Sequence, residues 1–189
     1  MDSQKDNPFR SLQTNASGLF SRIMARYGSE MKCASGCASC CNAEFSVYPG
    51  EAALILEDFL SLDPAARKAL IGAWKNSRGG HCAFLVDQRC TTYASRPVIC
   101  RTQGAPLCTS DELARTKKIT ACPLNFNEGR SIPSKPEHWF ELNRLTELQS
   151  VAEQFFEKTI GIPETLQPLL DGDKRIPLRH LRDLLARLP

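Results

Sequence analysis

Apolar residues recur every three or four positions in several parts of the chain, which is the spacing of an amphipathic helix. The first such stretch covers residues 9–27 and leads directly into a cysteine-rich segment. Two more helices are predicted over residues 49–60 and over residues 63–76. In the second, Asp63 is a favoured N-cap residue and Pro64 follows it at the first helical position. The apolar side chains of these two helices are expected to form core packing and not a binding stripe.

Two further helices are predicted in the last third of the chain. Ser134 and Glu137 have the spacing of a capping box, and the apolar residues after them predict a long helix over residues 136–160. Leucines between positions 178 and 188 alternate with basic residues and predict an amphipathic tail helix. We expect this tail helix to pack on the domain. Contact with a membrane or a partner is the less favoured alternative.

The middle of the chain has little periodic apolar pattern. Residues 45–48 and 82–86 are predicted to be short strands, with a turn at residues 87–89 after the second. Another capping-box pattern predicts a short helix over residues 109–118. Ordering so irregular a stretch needs a stabilising contribution other than local core packing, and metal ligation can supply one.

The composition is that of an ordinary globular protein, since 42% of the 189 residues are hydrophobic and 24% are charged. A formal net charge of +3 is too small to indicate nucleic-acid binding, and no basic run is interleaved with aromatic residues. No apolar run is long enough to cross a bilayer, and the polar amino terminus does not resemble a signal peptide. We therefore expect a cytoplasmic protein with no nucleic-acid or membrane partner.

The chain contains nine cysteines, and four of them fall within residues 33–41. On a helix all four thiols would share one face, while Ser35, Gly36 and Ser39 make a tight loop equally plausible. In a reducing cytoplasm, clustered cysteines are better explained by metal binding than by disulfides. A set of inert buried thiols is the less favoured alternative, because crowded free thiols oxidise one another.

The cysteine spacing fits iron–sulfur ligation better than zinc ligation. Zinc sites are usually built from two C-x2-C knuckles, and only Cys37 and Cys40 have that spacing. Iron–sulfur clusters accept more varied spacings, since each iron takes one cysteine and the cluster spans several ångströms. Zinc and metal-free redox thiols remain alternatives, and the sulfur suffices for one site or for two.

The spacing Cys33-x3-Cys37-x2-Cys40 resembles that of the radical S-adenosylmethionine enzymes, in which three cysteines hold a four-iron cluster. The residue before the third cysteine, usually aromatic in those enzymes, is Ser39 here. The rest of the chain also lacks the alternating strands and helices of a βα barrel. We therefore interpret this match in spacing as coincidental.

Three short motifs follow the cysteine cluster in a specific order. They are Cys82-Ala-Phe-Leu, Cys90-Thr-Thr-Tyr and Arg96-Pro-Val-Ile-Cys-Arg. Together with the cluster, they make residues 33–101 resemble the YkgJ-type cysteine-cluster proteins, a family of proposed zinc- or iron-chelating domains also found in flagellin lysine N-methylases. The spacing from Cys33 is one residue longer than the CxxCxxCC signature of that family. The resemblance implies metal binding, and the methylase relatives suggest a four-iron cluster.

All nine cysteines are candidate metal ligands. They are Cys33, Cys37, Cys40, Cys41, Cys82, Cys90, Cys100, Cys108 and Cys122. Arg96 and Arg101 are candidates for cofactor binding, because their charges could offset those of a thiolate cluster; a salt bridge or a loop clamp is the alternative. His81 and Glu51 are weaker candidates, for which a solvated loop and the first turn of a helix are the preferred roles. Tyr93 is expected in the core.

These observations predict a mainly α-helical protein with irregular cysteine-rich loops, in which a small metal-centred domain carries a helical C-terminal extension. We place the cysteine-cluster domain with its N-terminal helix at residues 1–130, and the extension packed on it at residues 131–189. The preferred function is a metal-binding protein that carries an iron–sulfur cluster, with zinc as the alternative cofactor. The rival hypothesis is a cluster-dependent enzyme acting by methyl transfer or redox chemistry on a protein or small substrate.

Overall fold

Helices make up most of the regular structure in the computed structural model, which describes residues 7–77, 82–111, 113, 115–127, 131–170 and 174–188. Within these ranges the helices are α1 (Pro8–Tyr27), α2 (Pro49–Ser61), α3 (Pro64–Asn76), α4 (Val98–Thr102), α5 (Leu142–Thr159) and α6 (Leu178–Leu185). The strands are β1 (Ser46–Val47), β2 (Leu85–Val86), β3 (Arg89–Cys90), β4 (Leu107–Asp111), β5 (Thr116–Thr120), β6 (Phe140–Glu141) and β7 (Ile176–Pro177). The protein is therefore mainly helical, with many of its cysteines in loops, as the sequence predicts.

The first three helices begin with proline and are capped by side chains. Before α1, the Asn7 side chain accepts a hydrogen bond from the backbone N–H of Phe9 at 3.0 Å. Before α3, Oδ1 of Asp63 accepts one from the N–H of Ala66 at 2.8 Å. These bonds satisfy donors that the first turn of a helix leaves without an intrahelical partner. The three helices predicted between residues 9 and 76 are confirmed.

Helix α2 lies between two apolar clusters. Ile55 and Phe59 belong to the cluster that includes side chains of α3 and α6, such as the fully buried Leu181. Leu54 belongs to the other cluster, in which Phe9 and other residues of α1 pack with side chains near and within α5. Because α2 is apolar on nearly every face, burial on both sides is the stable solution for it.

Short strands tie the last third of the chain to the cysteine-rich part. Strand β1 pairs antiparallel with β7, so that Val47 lies opposite Ile176. Strand β4 pairs antiparallel with β5 and parallel with β6, which places Cys108 opposite both Ile119 and Glu141. The region after residue 131 is thus joined to the earlier region by backbone hydrogen bonds as well as by helix packing.

The tail helix packs on the domain, as predicted. Leu178, Leu181 and Leu185 are buried, and the backbone N–H of Leu178 donates to the carbonyl of Phe45 at 3.0 Å. The basic residues of α6 lie on its outer side, where Arg179 pairs with Glu44. No helix in the part of the chain that the structure describes is both long enough and apolar enough to cross a membrane.

The helix predicted over residues 109–118 is wrong. Residues 107–111 and 116–120 form the β4–β5 hairpin instead, with Arg115 at a φ of 51° in the connecting turn. A capping box covers only four residues and has no apolar repeat behind it here. The β-branched residues on both sides of the turn favour strands, and pairing with β6 fixes them in that state.

The long helix begins later than predicted. Residues 136–138 form a 3-10 turn, and α5 starts at Leu142 after the short strand β6. The cap is Glu141, whose side chain accepts a hydrogen bond from the N–H of Arg144 at 2.7 Å. The strand pairing of β6 with β4 requires extended backbone at a position where the sequence pattern alone favours helix.

Helix α5 also buries a narrower face than its sequence suggests. Ala152 and Phe156 are buried, whereas Leu148 is 41% exposed and Phe155 is 53% exposed. The buried face of α5 packs on α1 and α2. The adjacent row of apolar side chains is not covered by any of the described residues. Only part of the apolar face that the sequence predicts for this helix is therefore buried.

Candidate metal centre

The cysteine-rich segment after α1 folds as a loop, one of the two alternatives that the sequence left open. The chain turns at Gly36, whose φ of 89° suits glycine, and the N–H of Cys37 donates to the carbonyl of Ala34 at 3.0 Å. Residues 39–42 then form a single 3-10 turn that carries Cys40 and Cys41. This loop turns the backbone between Cys33 and the Cys40–Cys41 pair. The two ends of the segment therefore have different neighbours.

A hairpin brings two further cysteines to this loop. The backbone N–H of Cys82 donates to the carbonyl of Cys41 at 2.6 Å, which joins the two segments directly. Strands β2 and β3 place Cys90 opposite Leu85, and the turn between them has positive φ at both Asp87 and Gln88. Those two φ values match the two-residue turn that suits the twist of a hairpin, and the predicted turn is confirmed.

The short helix α4 carries Cys100 and is held by a buried carboxylate. The N–H of Val98 donates to Oε1 of Glu51 at 2.7 Å, and the N–H of Tyr48 donates to Oε2 at 3.4 Å. Burial raises the pKa of Glu51 to about 7, while the hydrogen bonds from these two backbone groups act in the opposite direction. Glu51 thus occupies the first turn of α2, as the preferred interpretation of the sequence held, and it also fixes the start of α4.

Cys40 and Cys41 form a hydrogen-bonded pair of thiols. The bond from Cys41 is the largest cause that lowers the pKa of Cys40, to about 6, and the charge of Arg96 acts in the same direction. The pKa of Cys41 is raised, first by that same bond and then by burial. The pair therefore loses one proton readily and holds the second, which makes Cys40 the thiolate near neutral pH.

Five thiols from three separate segments share one electrostatic environment. They are Cys40, Cys41, Cys82, Cys90 and Cys100. Burial raises the pKa of Cys82 and that of Cys100, and the charges of neighbouring thiolates raise both further. Without a cation, Cys82 and Cys100 therefore favour their protonated forms. A bound metal would replace those protons and remove the repulsion between the sulfurs.

Arg96 and Arg101 have different positions beside this group. The guanidinium of Arg96 stacks on the ring of Tyr93 at 4.0 Å from its centroid and lies near enough to Cys40 to lower its pKa. Arg101 donates to Ser17 at 2.9 Å and to the backbone carbonyl of Arg96 at 2.9 Å, so it clamps the loop onto α1. The ring of Tyr93 is 61% exposed, and its expected place in the core is wrong.

A second set of thiols lies around Cys33. The side-chain amide of Asn125 donates to Cys33 Sγ at 3.4 Å, and the charges of Cys37 and Cys122 act on the Cys33 thiol. Burial raises the pKa of Cys33, and the bond from Asn125 partly offsets that rise. The charge of Cys40 also acts on the Cys33 thiol.

Cys108 and the histidines of the later chain are not part of either set of thiols. Cys108 is fully buried within β4. His81 lies outside the residues that the structure describes. Tyr27 and His138 share a hydrogen bond at 2.9 Å between the Tyr27 hydroxyl and Nδ1 of His138. His180 is exposed on α6.

A cavity of about 210 Å³ opens beside Cys82. Backbone and side chains of residues 45–46 and 177–178 form most of its wall, and the ion pair between Glu44 and Arg179 lies at its edge. A larger cavity of about 500 Å³ is lined by residues of α5 and the turn after it, with Pro49 at the start of α2. The smaller cavity is the one that includes a cysteine of the five-thiol group among its lining residues.

The chemistry of these thiols fits zinc or iron, both of which take cysteine ligands. As the side chains stand, no three His, Cys, Asp or Glu residues in the described ranges form a group that could hold a metal ion. Cys40 and Cys41 lie only partly buried on a single turn, where their side chains can rotate without disturbing the core. Metal binding would draw the thiols together by such rotations.

Fold and site together define a small, mainly helical protein organised around clustered thiols. Residues 32–123 match the model of the CxxCxxCC family, described as a proposed zinc- or iron-chelating domain. The match includes every cysteine of the chain and supports a metal-binding function with zinc or iron as the metal. No match was found among curated proteins or among solved structures.

Two residues of the site were missed by sequence reasoning. Asn125 is buried and bonds to Cys33, to the carbonyl of Gly104 at 2.7 Å and to the N–H of Lys32 at 2.7 Å. Gly104 has a φ of 95° and lies against the Cys33 sulfur. The short Cys-Pro-Leu-Asn turn after β5 is the only sequence signal for Asn125, and such turns are too common to predict a site.

Proposed function

We propose that the protein carries an iron–sulfur cluster of the four-iron type at the five-thiol group. The observation that supports this is the convergence of Cys40, Cys41, Cys82, Cys90 and Cys100 from three separate segments. A tetrahedral zinc ion usually takes its four ligands from two C-x2-C knuckles, and the spacing of these five cysteines contains no such knuckle. Cluster ligation accommodates ligands with irregular spacing because each iron takes one cysteine.

The residues around the thiols have consistent roles in this proposal. Arg96 supplies positive charge beside Cys40, which lowers the cost of bringing several thiolates together. Arg101 and Glu51 position the loop and the helix that carry Cys100. When bound, the cluster would supply electron transfer or Lewis-acid chemistry, and the process it serves is unassigned. Zinc is the alternative metal for the same thiols.

The proposed metal centre is also the basis for dividing the chain into a domain and an extension. We propose a cysteine-cluster domain at residues 1–130 and a helical extension at residues 131–189 that packs on it and completes its edge through β6 and β7. The protein would work in the cytoplasm, where free thiols stay reduced. A protein partner or substrate is compatible with this function, and no feature of the described surface favours nucleic acid.

A cluster-dependent enzyme is the second candidate, and the cavity beside Cys82 favours it. An enzyme needs room for a substrate next to the metal, and a purely structural or electron-transfer centre does not. The ion pair of Glu44 and Arg179 at the edge would select a small substrate with charged groups. Redox chemistry or methyl transfer, as the flagellin methylase resemblance suggests, would be carried out at this cavity.

One measurement tests the cofactor. The full chain is purified without oxygen, and its iron, acid-labile sulfide and zinc contents are measured together with its visible absorption spectrum. The proposal expects iron and sulfide in similar amounts and a broad charge-transfer absorption that bleaches on reduction. Zinc without sulfide would establish the alternative, and a chain that retains neither metal after reconstitution would contradict metal binding altogether.

A further inference from the structure

Helix α5 carries a row of exposed apolar side chains, made of Leu148, Val151 and Phe155. The spacing of three and then four residues continues to Arg144 before the row and to Lys158 after it. At 100° per residue these five positions fall within about 80° of arc on the helix surface. Alternation of three and four is the spacing of the a and d positions in a coiled coil. The row therefore has the geometry of a seam for a second helix.

Neither core packing nor helix propensity explains this row. Four residues of α5 are buried, and two of them, Gln149 and Glu153, are polar. The helix thus exposes apolar side chains while it buries polar ones. Valine and phenylalanine are also weaker helix formers than alanine, lysine or glutamate. Exposed apolar residues are common one at a time, but a contiguous row indicates contact with another surface.

The residues outside the described ranges cannot cover this row. They contain one large apolar side chain, that of Met1, and comprise residues 1–6, 78–81, 112, 114, 128–130, 171–173 and 189. A row of three apolar side chains needs more than one such side chain opposite it. A second copy of the chain, in contrast, brings an apolar row of the same length.

Two copies of α5 in antiparallel orientation match each other along the row. When Val151 of one copy lies level with Phe155 of the other, Phe155 of the first lies level with Val151 of the second. The same register sets Leu148 level with Lys158, whose aliphatic stem can cover it. Every contact then occurs twice about a twofold axis, which is the symmetry of most homodimers.

The charges beside the row favour this register. Glu147 lies one residue before Leu148, so it is about 1.5 Å along the helix axis from the level of Lys158 of the second copy. Glu147 and Lys158 are both exposed, and neither makes an ion pair among the described residues. A parallel pair in register would bring the two Lys158 side chains together instead. One Glu147–Lys158 pair at each end therefore selects the antiparallel orientation.

A register shifted by one heptad would set Lys158 level with Glu141. That carboxylate already accepts hydrogen bonds from the N–H of Arg144 at 2.7 Å and from the Ser110 hydroxyl at 3.2 Å. Glu147 has no such partners among the described residues and is the better acceptor for a lysine. In the preferred register Arg144 lies level with residue 162 of the second copy, beyond the end of its helix at Thr159.

We propose that this row is a homodimer interface, in which the α5 helices of two copies pair antiparallel. Val151 and Phe155 form the central apolar layers, and the Glu147–Lys158 pairs fix the register. One short helix pair buries less than the total of about 1,600 Å² of a standard interface, so the dimer is weak and forms as the concentration rises. The inference does not rest on the proposed metal centre.

Sedimentation velocity of the full chain in reducing buffer tests the dimer at concentrations from about 10 µM to about 1 mM. The sedimentation coefficient of the wild-type chain should rise with concentration towards that of a dimer. Val151→Glu places a charge in the central layers and should remain monomeric throughout. Thr146 is exposed on the opposite side of α5, so Thr146→Glu is the matched control and should dimerise like the wild-type chain. Helical circular dichroism is recorded for both variants.

Charge exchange tests the register. Glu147→Lys and Lys158→Glu each place like charges at both ends of the interface, so each should raise the dimer dissociation constant by about tenfold. The double variant restores opposite charges in exchanged positions and should dimerise as the wild-type chain does. No such recovery would occur if each change only perturbed its own helix.

Three results would overturn the inference. A wild-type chain that stays monomeric at about 1 mM has no such interface. A dimer that survives in Val151→Glu is formed by another surface. Single charge variants that dimerise as tightly as the wild-type chain, or a double variant without recovery, would show that the antiparallel register is wrong. All these variants keep every cysteine, so their metal content tests the proposed function separately.

Discussion

The carboxylate of Glu153 on α5 accepts a hydrogen bond from the backbone N–H of Gly50, at the start of α2, across 3.0 Å. Its other oxygen, Oε1, is buried and has no hydrogen-bond partner among the described residues. Burial raises the pKa of Glu153 to about 7. This contact links the late helix α5 directly to the helix that lies between the two apolar clusters.

The first prediction concerns the effect of Glu153 on stability as a function of pH. The pKa of an unfolded glutamate is about 4.3, so between that value and about 7 the folded state binds more protons at this position. The contribution of Glu153 to the free energy of unfolding therefore falls as the pH rises through this window. Glu153→Gln should be more stable than the wild-type protein at pH above 7, and the difference should vanish below about pH 4.

Urea denaturation at several pH values measures this difference. Gln still accepts the bond from Gly50 but cannot ionise, so it mimics the protonated wild-type side chain. Glu147→Gln on the exposed side of the same helix is the control and should show no such pH dependence. A constant difference between the Glu153 variant and the wild-type protein across the range would contradict the assignment.

The second prediction concerns the reactivity of Cys40 in the metal-free, reduced protein. Because its pKa is lowered to about 6, alkylation by iodoacetamide should reach half its maximal rate near that pH. Cys41→Ala removes the main stabilising hydrogen bond, and Arg96→Met removes a smaller charge effect. Both variants should shift the profile to higher pH, the first by more.

Mass spectrometry of peptides after timed alkylation gives the rate for each cysteine in one sample. The exposed Cys37 on the same loop serves as an internal measure of reagent access. If the Cys40 profile were the same in Cys41→Ala as in the wild-type protein, the hydrogen-bonded pair would play no part in its reactivity.

The third prediction concerns the tail helix. Leu181 is fully buried, so Leu181→Ala should lower the free energy of unfolding by about 2–5 kcal/mol. Leu148→Ala makes the same chemical change at a position that is 41% exposed and should cost about 0.5 kcal/mol or less. Equal losses for the two variants, measured by chemical denaturation, would show that α6 contributes little to the core.

The fourth prediction concerns removal of metal. Helices α1, α2, α3, α5 and α6 have apolar faces in the two core clusters, so most helical circular dichroism should remain. Residues 82–108 have less apolar packing of their own and should become sensitive to trypsin at Arg89, Arg96 or Arg101. Equal resistance with and without metal would mean that the fold holds the centre without help from it.

Helices α1, α2 and α3 were predictable because each combines an apolar repeat with a proline at its start. The caps at Asn7 and Asp63 lie within three residues of the donors they bind, so the sequence contains the whole interaction. The β4–β5 hairpin was not predictable in this way. Its strands are stabilised by β6, which lies some thirty residues further along the chain, and a four-residue capping pattern pointed to helix instead.

The sequence predicts that the cysteines bind a metal, but it does not predict which cysteines lie next to one another. Nine cysteines in a chain of this composition indicate a metal, whatever the fold. The neighbours of each thiol depend on a turn at Gly36 and on contacts between residues 122–126 and the cysteine loop. Both are features of the tertiary structure. The contacts of Gly104 and Asn125 with Cys33 could not be predicted, because both residue types are common in turns.

The pairing of β1 with β7 has a consequence for biosynthesis. Val47 and its partner Ile176 are separated by more than 120 residues, so a ribosome adding about 5–20 residues per second completes the cysteine loop several seconds before the strand that pairs beside it. During that interval the nascent thiols are open to cellular metal donors and to oxidants alike. A cofactor delivered during translation would reach Cys82 before the chain has made residues 177–179, which line the cavity beside that cysteine in the finished protein.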